Sequence, residues 1–460
     1  MTTRIRFPFE PWGWLQALLL MLVSLLGCGS SPSQCPVDSC LEVELVGSPA
    51  RALSTVEILL RDDARLTRHL FLGSELTDGT TLHVPISVAT APTARRALYV
   101  RASLDDSSGP HELLGLTEGT RAGLSRAVVT LSPGCERTPC ATPGPRRGAA
   151  LTYSPVTHQV LLHGGEGPSG RMLDDLWAWN GLWWQQLTAM QGPSARSQHG
   201  FAFDPASGKV VLVGGQGAGG VLADTWLLDP ASLTWQKMTT SAPPGRRLAA
   251  LGASPVGSGR GLALFGGQDG AGLVLGDTWL WDGVGWQPGP SSLCPVMPLA
   301  AATAPRCRVG ATLVPLADGH ESLLLGGWLG PQPASTFEAD EVIWRFGGAN
   351  WSVAPISRPP YLLARYRHGA ASLVSAAGKR GIWIGFGESA VGLRQDSYLI
   401  DETSGQVQPL LGQPPSPRTE TAITFDAERE EVVLFGGRSD AGLLGETYTL
   451  TLERGYRQHR

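Results

Sequence analysis

Lysine is nearly missing from this chain. Among 36 basic residues only Lys209, Lys237 and Lys379 are lysine; the rest are arginine. Charged residues make up 17% of 460 and the formal net charge is -4. Without a strongly basic field, nucleic acid is not an expected partner. No tryptophan falls between Trp14 and Trp177, so any core built from that stretch is aliphatic. The single long apolar run, Leu15 to Leu26, is short for a membrane span. Cysteine is scarce, and the two C-x4-C pairs have no histidine beside them, which argues against zinc. No cofactor or metal is called for. What is plentiful is glycine, at 59, and proline, at 35. That balance suits turn-rich β structure better than a helical bundle, and the length allows two or three domains.

The apolar run Val210-Val211-Leu212-Val213 ending in Gly214-Gly215 recurs along the chain. Copies end at Gly164-Gly165, Gly266-Gly267, Gly326-Gly327 and Gly436-Gly437, and a degenerate copy reads Gly385-Phe386-Gly387. The period is about 50 to 60 residues over six copies. Each copy is preceded by an arginine near a proline: Arg146, Arg196, Arg246, Arg308, Arg365 and Arg418. Each is followed by an acid that opens an aromatic run: Asp175-x-Trp177, Asp224-x-Trp226, Asp277-x-Trp279, Glu341 before Trp344, Asp396-x-Tyr398 and Glu446-x-Tyr448. A second aromatic follows at Trp184, Trp235, Trp286, Trp351 and Tyr456. Short β-rich runs between Gly, Pro and Asp are strand signals, so four short strands are expected per unit. A diglycine ends a strand where positive φ or close backbone approach is needed. One such unit cannot bury both faces alone, so the units stack around an axis as a β-propeller.

This pattern of arginine, apolar run into Gly-Gly, acid-x-aromatic and spaced tryptophan resembles the kelch repeat, over about residues 145–460. The resemblance implies an all-β fold with a six-bladed kelch-type propeller over 146–460. Blades are expected near 146–190, 193–240, 244–290, 304–356, 360–412 and 415–460, with an insertion at 287–307. Two closures of the ring are open. The last blade completes itself with Tyr456–Arg460, the preferred reading, or Ala127–Leu131 joins it from the N-terminal side.

Ahead of the repeats the chain changes character. Arg4 and Arg6, the apolar run and Leu25-Leu26-Gly27-Cys28 resemble a bacterial lipoprotein leader, which makes 1–27 a signal peptide and Cys28 the lipidated N-terminus. Gly29 in place of an aspartate implies, by the same resemblance, the outer membrane of a Gram-negative bacterium, on its periplasmic or surface face. Residues 28–40 read as a tether and 134–145 as a Cys- and Pro-rich linker. Between them, 41–133 holds seven alternating strand candidates, expected as a small immunoglobulin-like β-sandwich acting as a spacer. The six remaining cysteines, Cys35, Cys40, Cys135, Cys140, Cys294 and Cys307, suit disulfides in an oxidising compartment. Neighbour pairing is favoured, with Cys35 and Cys40 crossing to Cys135 and Cys140 as the rival.

The resemblance places the arginines at the start of the innermost strands, near the channel mouth. Two uses are open for Arg146, Arg196, Arg246, Arg308, Arg365 and Arg418. They pair with the repeated acids, or they bind an anionic ligand through their planar forks. Trp177, Trp226 and Trp279 read as blade core before sugar platform. His199 and His368, just after the arginine, lack a Ser or Cys partner, so no catalytic residue is assigned. The expected function is a membrane-anchored, monomeric binding module that recognises a protein or glycan through the loops of one propeller face. The alternative is a carbohydrate-active enzyme of mutarotase, epimerase or oxidase type at the channel mouth. Kelch propellers include such enzymes, and fold alone does not decide.

If Cys28 carries the anchor, Cys28→Ser should release the protein from membranes or stall its processing. Unchanged fractionation, with no acyl group on Cys28 by mass spectrometry, would end the lipoprotein reading.

Overall fold

The computed structural model describes the strands between residues 40 and 133 and most of 142–459. Within the second range the longest stretches outside the described residues are 291–303, 330–341 and 357–364. The leader 1–27 with Cys28, and the side chains of Cys35, Cys40, Cys135, Cys140 and Cys294, also lie outside them. Two compact units divide the chain, Met1–Gly134 and Cys135–Arg460. Both are built of strands; among the described residues the only helical turn is Pro168–Gly170.

Among its described residues the first unit has eight strands: β1 (Cys40–Val46), β2 (Leu53–Asp62), β3 (Arg65–Leu72), β4 (Thr81–Pro85), β5 (Arg95–Asp106), β6 (Gly109–Thr120), β7 (Arg126–Thr130) and β8 (Ser132–Pro133). They form a three-stranded sheet ordered β4-β1-β7 and a five-stranded sheet ordered β3-β2-β5-β6-β8. The centre of the larger sheet, Val56 to Leu60 on β2 and Ala97 to Val100 on β5, is buried without alternation. Both faces of these stretches are buried, and the one charged residue among them, Glu57, is buried as well. β7 pairs in parallel with β1, Glu42 opposite Arg126. It therefore does not complete the last repeat; that repeat ends in its own strand, Gly455–His459, paired with Thr447–Thr451.

The second unit contains six four-stranded antiparallel sheets among the described residues, one per sequence repeat. Their first strands begin at Ala150, Gly200, Ala250, Thr312, Gly369 and Ala422. Their second strands are Gln159–Glu166, Lys209–Val213, Gly259–Phe265, Ser322–Leu325, Arg380–Gly385 and Glu431–Phe435. These second strands are the buried apolar runs of the sequence. Alternate side chains leave a strand on opposite faces, and here each face meets a different sheet. Val160 and Leu162 pack on Ala422, Val433 and Phe435 of the sixth sheet. Leu161, between them, packs on Phe201, Val210 and Leu212 of the second. Val211 and Val213 then meet Leu262 and Leu264, Ala263 and Phe265 meet Leu324, Leu323 and Leu325 meet Ile382 and Ile384, and Trp383 meets Val432 and Leu434. Each such side chain contributes about 1.5–3 kcal/mol on burial.

The spaced tryptophans tie neighbouring sheets together. Trp286 Nε1 donates to Thr225 Oγ1 at 3.1 Å, Trp351 to Thr278 at 3.1 Å and Trp184 to Thr447 at 2.8 Å. The last of these joins the first sheet to the sixth.

Three histidines are shut inside this packing. His163 Nδ1 lies 3.1 Å from His199 Nε2, with Phe201 and Trp235 around the pair. His368 sits on the fifth sheet at the position matching His199 and is likewise buried. Burial first, then the Arg196 and Arg146 charges, lowers His163 to about 3 against an opposing pull from Asp175. Burial and Arg365 lower His368 to about 3, and burial, His163 and Arg196 hold His199 well below the ordinary range. The folded protein keeps these rings neutral while the unfolded chain takes up protons below its ordinary pKa of about 6.5. Stability is therefore full above that pH and is lost as pH falls from there toward 3. For a lone ring such as His368 the loss at pH 4.5 is about 2–3 kcal/mol. Melting temperature should fall steeply between pH 6.5 and 4.5, and His368→Leu should flatten the slope. A slope unchanged by that substitution would show that the buried ring does not control acid stability.

Candidate ligand-binding mouth

Each repeat arginine sits just before the first strand of its sheet, with 0 to 3% of its surface exposed. In the second sheet Arg196 Nε donates to Ser194 O at 2.9 Å, Nη1 to Gly214 O at 2.9 Å and to Asp224 Oδ1 at 2.6 Å, and Nη2 to Asp224 Oδ2 at 3.0 Å. Arg146 repeats this with Gly144, Gly164 and Asp175, and Arg246 with Pro244, Gly266 and Asp277. Arg308 Nη1 donates to Gly326 O, while Glu341 falls outside the described residues. Arg365 donates to Phe386 O and Asp396. Arg418 donates to Gly436 O and, at 3.2 Å, to Glu446. Burial raises the carboxyl pKa values of Asp175, Asp224 and Asp277, but the arginine hydrogen bonds and charges outweigh it and lower them. Asp396, held by both Arg394 and Arg365 against the same burial, falls to about 2.

The same acids explain the acid-x-aromatic motif. Residues two apart on a strand share a face, and Trp177, Trp226 and Trp279 each donate the indole N–H to the acid two places earlier at 2.7 Å. These three tryptophans thus brace the acid. The diglycine serves the next sheet. A Cβ on Gly164 would stand 2.6 Å from Arg196 O, and Gly215, Gly267, Gly327, Gly387 and Gly437 each donate an N–H to the following sheet's arginine carbonyl. Gly437 donates to Arg146, carrying the contact from the sixth sheet back to the first. In the degenerate copy Phe386 takes the first glycine's place at φ 61, its ring buried against Trp383 and Tyr456. A left-handed non-glycine costs roughly 1–2 kcal/mol, here set against an aromatic burial.

Two residues after each arginine the backbone turns left-handed, at Gly148, Gln198, Leu248, Gly310, Arg367 and Glu420, with φ from 50 to 66. Their amides form a cycle. Gln198 N donates to Gly148 O, Leu248 to Gln198, Gly310 to Leu248, Arg367 to Gly310, Glu420 to Arg367 and Gly148 to Glu420, at 2.7–3.2 Å. This annulus lies where the six inner strands begin. Beneath it is an axial cavity of about 310 Å³ lined by all six, among them Tyr153, Phe203, Leu251, Thr312, Ala370 and Thr424. Holding four non-glycine residues in a disfavoured conformation at one ring is the kind of strain that collects at functional sites.

Side chains on and around the annulus form the candidate site. Glu420 is its hub, its side chain 1% exposed: Gln198 Nε2 donates to Oε1 at 2.8 Å, Arg367 Nη1 lies 3.2 Å from Oε1 and Arg147 Nε 3.7 Å from Oε2. Arg147 Nη2 also donates to both Glu166 oxygens, at 2.8 and 3.0 Å. Arg367 lies over the Tyr366 ring, 5.1 Å from its centre, and 4.0 Å from Glu388. Burial leads, with Glu388 and Glu420 adding to it and Arg367 opposing, in raising the Tyr366 hydroxyl to about 12. The opposite arc is apolar: Leu248, Val274, Cys307, Val309 and Trp328 pack together, and Trp328 stands 6.1 Å from Tyr366. Cys307 is disulfide-bonded, and its partner is a cysteine whose side chain lies outside the described residues.

Sequence reasoning fixed on the arginines and passed over the positions beside them. The residue after each diglycine, Glu166, Gln216, Gln268, Trp328, Glu388 or Arg438, bridges to the residue after each arginine, Arg147, Ser197, Arg247, Val309, Tyr366 or Thr419. The offsets were readable; what hid them is that their identities vary. Among the described residues no group of three or more His, Cys, Asp or Glu is placed to hold a metal ion.

Residues 132–287 match the family model described as the KLHDC2/KLHL20/DRC7 Kelch-repeats domain. Among solved structures the chain resembles the one titled "Structure of YjhT", with a TM-score of 0.51 over 69% of this chain and 99% of that one, at 14% identity. No curated protein sequence matches the chain. Kelch repeats in a propeller-type, all-β fold are what these comparisons and the six sheets establish together.

Arg196→Ala should test the arginine clip. It removes a buried fork, takes the donor from Gly214 O and leaves Asp224 only the Trp226 indole N–H. The expected loss is about 3 kcal/mol, at the low end for a buried pair because water reaches Asp224. A melting temperature within a degree of wild type would refute the clip.

Proposed function

We propose that this chain is an exported, lipid-anchored binding protein whose kelch repeats close into a six-bladed propeller and capture a protein or glycan ligand at the annulus end. The immunoglobulin-like spacer, the anchor at Cys28 on an outer membrane and the Cys294–Cys307 disulfide belong to the same proposal. The cyclic packing of six sheets supports the blade count, with the sixth sheet meeting the first through Phe435 and Leu162. The observation that carries the binding site is the Glu420 hub, which draws Arg147, Gln198 and Arg367 from the first, second and fifth sheets onto one carboxylate. That convergence fixes partly exposed charged groups in place before a ligand arrives, and preorganised polar groups beside apolar ones favour ligand binding.

In this proposal the six repeat arginines hold the blades, since their donors face the carbonyl at the second strand's end and, in five of them, an acid of the same sheet, and the neighbouring variable positions hold the ligand. The test is capture by the full-length protein in detergent micelles, screened on a glycan array and with an envelope extract. Arg367→Gly combined with Glu420→Gln removes both partners of the 3.2 Å pair while Arg147 keeps Glu166, and glycine suits the left-handed backbone at 367. Specific capture should fall at least tenfold, about 1.4 kcal/mol, with the melting temperature kept. Capture that survives this variant but is lost on changes at the far end of the inner strands would move the site away from the annulus.

A further inference from the structure

We infer that Arg247 is a receptor for one carboxylate of the ligand, kept open by two glutamines. This rests on the annulus end being the binding face. The chain builds the same position in two ways. Arg147 and Arg247 each follow a repeat arginine, and each bridges to the residue after its own sheet's diglycine. In the first sheet that residue is Glu166, and both of its carboxylate oxygens accept from Arg147 Nη2. In the third sheet it is Gln268, which has the shape of a glutamate without the charge. Gln268 Oε1 accepts from Arg247 Nη2 at 2.9 Å and from Nε at 3.3 Å. Gln216 Oε1, from the second sheet, accepts from Nη1 at 3.0 Å.

Both amides are held in that sense by their own loops. Gln268 Nε2 donates to Gly272 O at 3.0 Å and Gln216 Nε2 to Gly217 O at 2.9 Å, which turns each oxygen to the guanidinium. A guanidinium carries five N–H groups, and three are used here. One N–H remains on each terminal nitrogen, and two such groups match the two oxygens of a carboxylate.

The charge of Arg247 is also unmet. Among the described residues no carboxylate pairs with it; its acceptors are the two amides. Asp269, next to Gln268 in the chain, has Oδ1 taken by the Ala271 and Leu273 amides of its own loop. Around the annulus four arginines, Arg147, Arg247, Arg367 and Arg438, stand with three glutamates, Glu166, Glu388 and Glu420, so one positive charge is in excess. The three glutamates lie on Arg147 and Arg367. Arg247 is half-buried and ordered by neutral acceptors before any ligand arrives, so an incoming anion finds its donors fixed. A single unmet charge suits a monoanion, which selects a carboxylate over a phosphate dianion.

The experiment uses full-length protein in detergent and the variant Gln268→Glu, which rebuilds at Arg247 the arrangement that Arg147 already has. A partly exposed ion pair changes stability little, so the melting temperature should be kept. The probes are uronic-acid and sialylated glycans in one series and glutamate-containing peptides in another. Each is paired with its carboxyl methyl ester and with a phosphorylated counterpart. Free acids of one series should be retained, and the series that binds identifies the carrier of the carboxylate. Methyl esterification and Gln268→Glu should each weaken the strongest hit at least about tenfold, the scale of a charge-assisted hydrogen bond. Acid-dependent binding that Gln268→Glu leaves intact would overturn the Arg247 receptor, and its loss in the Arg367→Gly and Glu420→Gln variant would still keep the binding face. Esters bound as well as acids would overturn the carboxylate. Phosphorylated probes retained in place of the acids, and lost in Gln268→Glu, would overturn it too and keep Arg247 as an anion site. Retention of neither series, alongside envelope capture lost in the Arg367→Gly and Glu420→Gln variant, would overturn the receptor and keep the binding face.

Discussion

One guanidinium carries much of this architecture. The repeat arginine joins the loop before the first strand, the carbonyl where the second strand ends and the acid where the third begins, all inside one sheet. Its planar fork satisfies these three at once, which a lysine could not do with a point charge. The carbonyl of the same residue then receives an amide from the preceding sheet's diglycine. Side chain and backbone of one residue thus fix both the sheet and its neighbour. Because the guanidinium is nearly inaccessible, its value lies in hydrogen bonds made where water does not compete.

The repeat was legible because its constraint is the same six times. Arginine, diglycine and acid-x-aromatic each answer a geometric demand that no other residue meets as well, so the sequence repeats them. Strand ends in the first unit were less legible. The strand read as His69–Leu72 begins at Arg65 instead, because pairing with β2 continues through polar residues. The strand read as Thr81–Ala89 is described from Thr81 to Pro85, and 86–89 lie outside the described residues. The site was the least legible. A left-handed residue is foreseeable at Gly148 and Gly310, yet nothing local marks Gln198, Leu248, Arg367 or Glu420 for that conformation; the annulus imposes it. The positions beside the arginines vary from sheet to sheet while the frame repeats, and in the proposed function those variable positions on a rigid frame are where the ligand is read.

The degenerate fifth copy shows how far the frame tolerates change. Phe386 replaces a glycine at the point of closest approach, yet the Gly387-to-Arg418 amide contact is 2.8 Å and Arg365 still reaches the Phe386 carbonyl at 3.0 Å. The backbone path is dictated by what surrounds it, and the residue complies. Gly385, two places from Gly387, leaves room where the Trp383 indole would meet a Cβ. The substitution is therefore part of a local repacking, with Trp383, Phe386 and Tyr456 filling the space together.

The seam between the first and sixth sheets has a kinetic consequence. Val160 and Leu162 belong to the first repeat to leave the ribosome, and the side chains that cover them, Val433 and Phe435, are almost the last. Every other interface forms between repeats that follow each other in the chain. This one demands a loop closure of about the whole repeat region, and long-range closure is slow. Until it occurs the nascent chain is an open crescent with one sticky face at each end, prone to meeting a second crescent before its own tail. The residence time of that crescent, more than the strength of any single blade, sets how safely the protein can be made.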